Sequence, residues 1–279
     1  MTATTAPAAR RGIASRIARA LPIPAGAGMA RMLVERNIRA YRHLWVALVT
    51  GFAEPVFYLF SMGIGIGGLV QTVTTDSGAE VPYAAFVAPA LLAASAMNGA
   101  VFDSTFNVFW KLKYAKLYDA VLATPLGPRD IAVGEISWSL IRGTIYSALF
   151  LVVAALAGAV TSWWALLALP AAVLIGFAFA AMGTACTTYM KSWQDFEYIT
   201  LVTLPLFLFS ATFYPITVYP DSLQWVVRCS PLYHAATLLR ELTTGTVGLG
   251  SFVHVAVLVG LGLVGLLVTG RRLEKLLLT

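Results

Sequence analysis

Glu54, Asp103 and Arg142 are ionisable residues set inside long apolar runs, and that placement is the first chemistry the chain offers. A charge at the centre of a bilayer costs at least about 2.5 kcal/mol on insertion scales, so such groups are protonated, paired or turned toward a wet cavity. Glu54 precedes Pro55, whose ring removes one helical hydrogen bond and leaves a backbone acceptor open beside the carboxyl. Glu54 therefore reads as a position on a translocation path or at a helix contact, or as a protonated structural group. Asn98, Asp103 and Asn107 make a second apolar run too polar to face lipid. Asp103 lies about seven residues before a polar loop and Arg142 about seven after it; at about 1.5 Å per residue both sit roughly 10 Å deep and could pair. Snorkelling of Arg142 to lipid headgroups is the alternative.

Other chemistries find no support. The chain has no GxxxxGK[ST] run, so it cannot supply a P-loop ATP site. His43, His234 and His254 are scattered along the sequence, which argues against a metal, and no Ser/His/Asp or paired-carboxylate arrangement stands out. Gly63, Gly65 and Gly68 match GxGxxG formally, but with no preceding strand they read as close helix approach followed by a loop.

The elements that must position these groups are membrane helices. Of 279 residues 59% are hydrophobic and only 11% charged, which excludes an ordinary water-soluble domain. A helix crosses a hydrocarbon core of about 30 Å with about 20 residues. Runs of that kind occupy Leu44 to Gly68, Tyr83 to Trp110, Ile136 to Gly158, Trp164 to Met190, Tyr198 to Ile216 and Ser251 to Gly270. They predict an all-α integral membrane protein with six transmembrane helices; barrel strands are excluded because the runs lack ten-residue alternation.

Orientation follows from lysine and arginine. Eight Arg precede the first run, Lys111, Lys113, Lys116 and Arg129 occupy one loop, and Lys191, Arg271, Arg272 and Lys275 fall on the same side, whereas Arg228 and Arg240 face the other. Both termini are thus expected in the cytoplasm, and the net charge of +6 reads as a topology signal and an attraction to anionic lipid, not as a nucleic-acid footprint. Cys186 and Cys229 fall on opposite sides, which forbids a disulfide between them.

Residues 1–28 read as a weakly ordered basic tail without a secretory signal. Residues 29–43 read as an amphipathic helix on the inner leaflet, or as a solvated basic arm, and 271–279 as a cytoplasmic tail. The segment 214–250 alternates apolar and charged residues, as re-entrant or interfacial helices forming an outer lid would. The polar loop 111–135 carries a short basic amphipathic helix over Lys111 to Ala123, turn chemistry over Pro125 to Pro128, and a lead-in to the third span from Arg129 to Glu135. A solvated connector needs no such order; a docking element does. The turn KSWQDFEY (Lys191 to Tyr198) reads either as a lesser contact of the same kind or as a solvated turn.

The run AMNGAVFDSTFNVFWKLKYAKLYDAVLATPLGPRDIAVGE from Ala96, with EPVFYLFSMGIGIGG from Glu54 and FSATFYPITVYPDSLQWVVRCSPLYHAATLLRELTTG from Phe209, resembles the ABC-2 type permeases, in particular the branch of nodulation lipo-oligosaccharide exporters and daunorubicin-resistance membrane subunits. The resemblance covers nearly everything after Arg31. It implies a six-span half-transporter that pairs with a second permease copy, as a homodimer, in the bacterial cytoplasmic membrane. Force comes from two copies of a separate ABC ATPase, which carry ATP and Mg; this chain holds no cofactor. It also implies that the loop is a coupling helix, with Tyr114, Lys116, Tyr118, Asp119, Leu122, Thr124, Pro125 and Arg129 as contacts by position, and that the fifth span borders the path, so that Phe207, Phe209 and Phe213 could gate it beside Glu54, Asn98 and Asp103. The expected activity is ATP-driven export of an amphipathic, lipid-like or drug-like substrate, the direction resting on the resemblance. An ion-gradient transporter acting through Glu54 and Asp103 is the alternative, although no repeat relates the two halves; a non-transporting scaffold leaves the ordered loop unexplained.

Overall fold

The computed structural model describes residues 29–41, 45–75 and 78–277. The expected basic tail over 1–28, His43 and the last two residues of the chain lie outside the described residues. Helix α1 (Ala30–Tyr41) buries Ala30, Leu33, Val34 and Asn37, the i, i+3, i+4, i+7 stripe of an amphipathic helix. That stripe packs on protein: Met32 points outward, and Leu33 lies against Gly134, where an added Cβ would stand 3.0 Å from the leucine Cβ.

Helix α2 (Trp45–Gly65) contains Pro55 and is followed by the short α3 (Gly67–Val70). An antiparallel hairpin of β1 (Thr72–Thr74) and β2 (Glu80–Pro82), with Val73 opposite Val81, departs from the all-α expectation within an otherwise helical chain. Helix α4 (Tyr83–Phe102) continues to Tyr114 through two π turns, Asp103–Asn107 and Trp110–Tyr114. After it come α5 (Leu117–Leu122), α6 (Pro128–Leu156), α7 (Ala168–Thr187), α8 (Phe196–Leu208), α9 (Asp221–Cys229), α10 (Pro231–Thr244) and α11 (Leu249–Leu277).

Between lipid-exposed helices there is no water to expel, so association depends on close packing and internal polar contacts. Helices α4 and α7 form the centre with runs of buried alanine (Ala85, Ala88, Ala90 and Ala93 on α4; Ala172, Ala178, Ala180 and Ala181 on α7) that let the backbones approach. The closest approach is at Gly183, where a Cβ would sit 2.0 Å from the Ser104 hydroxyl. The first π turn makes that crossing possible. It leaves a carbonyl without its usual helical donor, and Thr187 Oγ1 of α7 donates to Ser104 O at 2.9 Å.

Among the described residues five segments are long and apolar enough to cross a membrane, Ala53–Val70, Tyr83–Tyr114, Pro128–Leu156, Trp163–Thr187 and Leu249–Leu276. The fifth expected span, Tyr198 to Ile216, differs. Its helix α8 has 13 residues, about 20 Å at the helical rise, and the chain leaves the helix at Phe209. Pro205 and the small polar run Ser210, Ala211, Thr212 favour that break, and all three of those residues are completely buried. Ala211 adopts φ 52°, and its carbonyl accepts from Arg240 Nη2 at 3.0 Å, so the unwound backbone is satisfied by protein. Arg240 also donates to Phe86 O at 3.2 Å with its guanidinium 3.8 Å over the Phe86 ring. Within the expected outer segment, α10 buries Leu232, Ala235, Ala236, Leu238 and Leu239 in the main core, while α9 leaves Trp225 and Val226 exposed. The expected tail at 271–279 continues α11 as helix through Leu277.

Candidate functional site

Glu54, Asn98 and Phe207 line one cavity of about 500 Å³, together with Pro55, Tyr58, Ser95, Phe102, Arg142 and Tyr146. Four elements build it: α2, broken in its hydrogen bonding by Pro55, α4 just before its first π turn, α6, and α8 through Phe207. Arg142 is held there. Its Nη1 lies 2.9 Å from Asp103 Oδ1, with 11% and 5% of the two side chains exposed, and its Nη2 donates to Tyr146 Oη at 3.3 Å. Asp103 thus acts on the cavity through Arg142 and does not line it. Phe209 and Phe213 stand outside it as well: Phe209 is about half exposed beyond α8, and Phe213 packs edge-on against Phe207, 5.1 Å between centroids, with its carbonyl accepting from Tyr83 Oη.

The loop 111–135 is built differently from the expected short basic amphipathic helix over Lys111 to Ala123. Lys111 belongs to the second π turn, is 8% exposed, and places Nζ 2.6 Å from Glu135 Oε2, so the first and last residues of the loop are clasped by a buried ion pair. The helix breaks at Lys116, whose φ of 44° is left-handed, and restarts as α5. Six residues cannot sustain a helix alone. Tyr118 and Val121 fix it by burial with Leu33, Val108 and Ile131. Tyr114, Lys116, Asp119, Thr124, Pro125 and Arg129 are exposed and Leu122 is half-buried, whereas Tyr118 is only 1% exposed and has no surface to offer a partner. Asp130 caps both neighbours, accepting from Gly127 N at the start of α6 and from Met29 N before α1, each at 3.0 Å. Arg129 reaches Glu274 of α11 at 3.3 Å.

Two groupings were not legible in the sequence. Trp193, in the turn read as solvated or docking, packs among Phe106, Phe109 and Tyr114 with centroids 5.3 to 5.5 Å apart, and Trp110 stacks on Tyr114 at 5.2 Å. This aromatic cluster climbs α4 from the loop to Phe102 on the cavity wall. The two histidines described as scattered meet: His234 Nδ1 and His254 Nδ1 are 2.7 Å apart, with Glu241 Oε1 3.8 Å from His254 Nε2. The separation in sequence hid them because α10 and α11 fold back on each other. Among the described residues no group of three His, Cys, Asp or Glu side chains is arranged to hold a metal ion. Cys186 and Cys229 are free thiols.

An apolar helical bundle with buried charges, an amphipathic cavity and a clasped polar loop defines a membrane transport subunit, and residues 30–243 match the ABC-2 type transporter family, to which the chain belongs. It is 33% identical to nodulation protein J of Rhizobium leguminosarum bv. viciae over 239 residues, 85% of this chain and 90% of that protein. It is 35% identical to nodulation protein J of Rhizobium leguminosarum bv. trifolii over 75% of this chain and 79% of that one, and 32% identical to that of Rhizobium meliloti (strain 1021) over 81% and 83%. The protein is a multi-pass bacterial membrane protein of an ABC exporter class whose membrane subunits are transport components associating with a separate ABC ATPase. An ion-gradient transporter is not favoured by these likenesses.

Proposed function

We propose that the chain is the permease half of an ATP-driven exporter for an amphipathic substrate, such as a hydrophobic drug or a lipid-linked saccharide, with the Glu54–Arg142 cavity as its half of the path. The observation that carries this is the lining itself: Glu54, Asn98 and Arg142 offer charge and hydrogen bonds, while Tyr58, Phe102 and Phe207 offer apolar wall. A few polar groups in an apolar cavity suit a ligand with both characters. Helix α8 beside the cavity buries none of its own side chains, and α2 leaves Phe57, Tyr58, Phe60 and Ile64 exposed. A second copy of this chain facing those helices would close the path between two cavities.

ATP and Mg would reside on two copies of the ATPase, seated on the exposed side of α5 around Asp119, Thr124 and Pro125. Closure of the ATPase pair would press the two loops and tilt the bundles as rigid bodies, turning the path outward. Purification of the tagged chain from its own membranes tests this. The expected result is a co-purifying ABC ATPase that Asp119→Ala combined with Arg129→Glu releases, the thermal midpoint of the bundle being unchanged. Export that continues after ATP is depleted while an ion gradient is kept would overturn it.

A further inference from the structure

We propose that the cavity selects amphipathic cations, with Glu54 as the residue that fixes the sign of the charge its cargo carries. This rests on the permease reading above and narrows its substrate class. The charged residues lining the cavity are Glu54 and Arg142. Arg142 is already matched, with Nη1 2.9 Å from Asp103 Oδ1 and Nη2 donating to the Tyr146 hydroxyl, so its charge is cancelled within the wall. Glu54 takes part in none of the ion pairs among the described residues. Two carboxyls, Glu54 and Asp103, against one guanidinium leave a formal excess of one negative charge, and it belongs to the side chain that is exposed to the cavity.

That carboxyl stands near the middle of the 21-residue α2, at a depth where an ionisable group needs a partner. Among the described residues the chain supplies none. A second copy adds none either: α2 and α8, the helices turned toward it in the reading above, contain no lysine or arginine, so it brings another Glu54 and no counter-charge. The wall around the carboxyl suits a cation for a second reason. Tyr58, one helical turn on from Glu54, has its ring centroid 6.5 Å from that of Phe207, and Phe102 lines the same space from α4. The faces of aromatic rings attract organic cations, quaternary ammonium groups above all. An amphipathic anion meets the opposite. Glu54 repels it, and Arg142 can serve it only by releasing Asp103, which is 5% exposed and would be left buried without its partner. A cargo with a protonated amine or quaternary nitrogen beside an apolar body therefore fits where a fatty acid does not.

The test uses the complex with its co-purified ATPase in phosphatidylcholine vesicles, whose neutral surface concentrates neither sign of probe. Cys186→Ala and Cys229→Ala remove the native thiols, and Ser95→Cys places a reporter on the cavity wall. Three dyes with one apolar body serve as probes: diphenylhexatriene and its trimethylammonium and propionate derivatives. The reading is the concentration of each that halves the rate of N-ethylmaleimide labelling at position 95. The trimethylammonium dye is expected to protect at about tenfold lower concentration than the neutral one, the size of one partly desolvated cation contact, and the propionate dye to protect least. Glu54→Gln keeps the shape without the charge and is expected to shrink that tenfold difference to the part the rings supply, about twofold to threefold. Glu54→Lys is expected to put the propionate dye first. Equal protection by all three dyes, or none by any, overturns the inference with no variant at position 54 needed, and so does an order and spacing that Glu54→Gln leaves unchanged. Selective protection with no ATP-driven movement of the trimethylammonium dye across the vesicle membrane overturns the transporter reading while the cation site stands.

Discussion

Two buried arginines divide the molecule. Arg142, on the wall of the cavity, is neutralised by a carboxylate on a neighbouring helix, whereas Arg240, in the core next to the unwound turn after α8, is bonded to two neutral carbonyls and a ring face. The first arrangement ties side chain to side chain across two helices and can re-pair if they move. The second ties a side chain to backbone that has left its helix, and it has nowhere else to go. The region around Arg142, Lys111 and Glu135 is therefore the one suited to motion, and the region around Arg240 the one suited to holding still.

The largest expected effect breaks the first half of the comparison. Asp103→Ala strands Arg142 in the bundle and is expected to cost about 3–5 kcal/mol, seen as a lower thermal midpoint in detergent, while Asp103→Leu with Arg142→Met recovers most of it. If Arg142 merely reached for solvent, the double variant would be no better than the single one. The second half breaks with Arg240→Met, which leaves the Ala211 and Phe86 carbonyls without this donor at about 1–3 kcal/mol each. Here no substitution of a single partner restores stability, and proteolysis should open the 209–214 turn first. Gly183→Ala sharpens the contrast at the π turn: a Cβ pushed onto Ser104 is expected to cost about 1–3 kcal/mol, and Ser104→Gly in the same chain to relieve it. The smallest effect lies outside both regions, at half-buried Asp195, where the Lys191 and then the Ser192 backbone N–H groups hold the carboxyl below its usual range. A depressed folded-state value means that the contribution is present above the ordinary carboxylate pKa of about 3.9 and is lost as pH falls through the folded one. Trp193 fluorescence is accordingly expected to hold steady from neutral to mildly acid pH and to change only in stronger acid, and Asp195→Ala to loosen the turn at neutral pH.

Much of the architecture was legible because continuous apolar runs have one solution in a membrane. The runs at Tyr83, Ile136, Trp164 and Ser251 all lie in long apolar helices, and Glu54, Asn98 and Phe207 fall on one cavity although 153 positions separate the first from the last. The run after Tyr198 was read too long because hydropathy does not register an internal break: Ser210 and Thr212 are only mildly polar, and the left-handed turn at Ala211 is stabilised by an arginine 29 residues away. Lys111 looked like a surface charge because its partner lies 24 positions on, beyond any local periodicity. Tyr118 was a contact only by the resemblance and is buried here, its six-residue helix being defined by what covers it.

By itself the sequence determined the solvent of this protein, most of its long apolar helices and that it has no P-loop run, since these depend on composition and on spacing along one helix. Only the tertiary structure decided which charges are silent and which are joints. Pairing Lys111 with Glu135, Asp103 with Arg142 and Arg240 with two carbonyls depends on helices that meet far apart in the chain, and inside a bundle the state of a charge is set by what stands within a few ångströms of it.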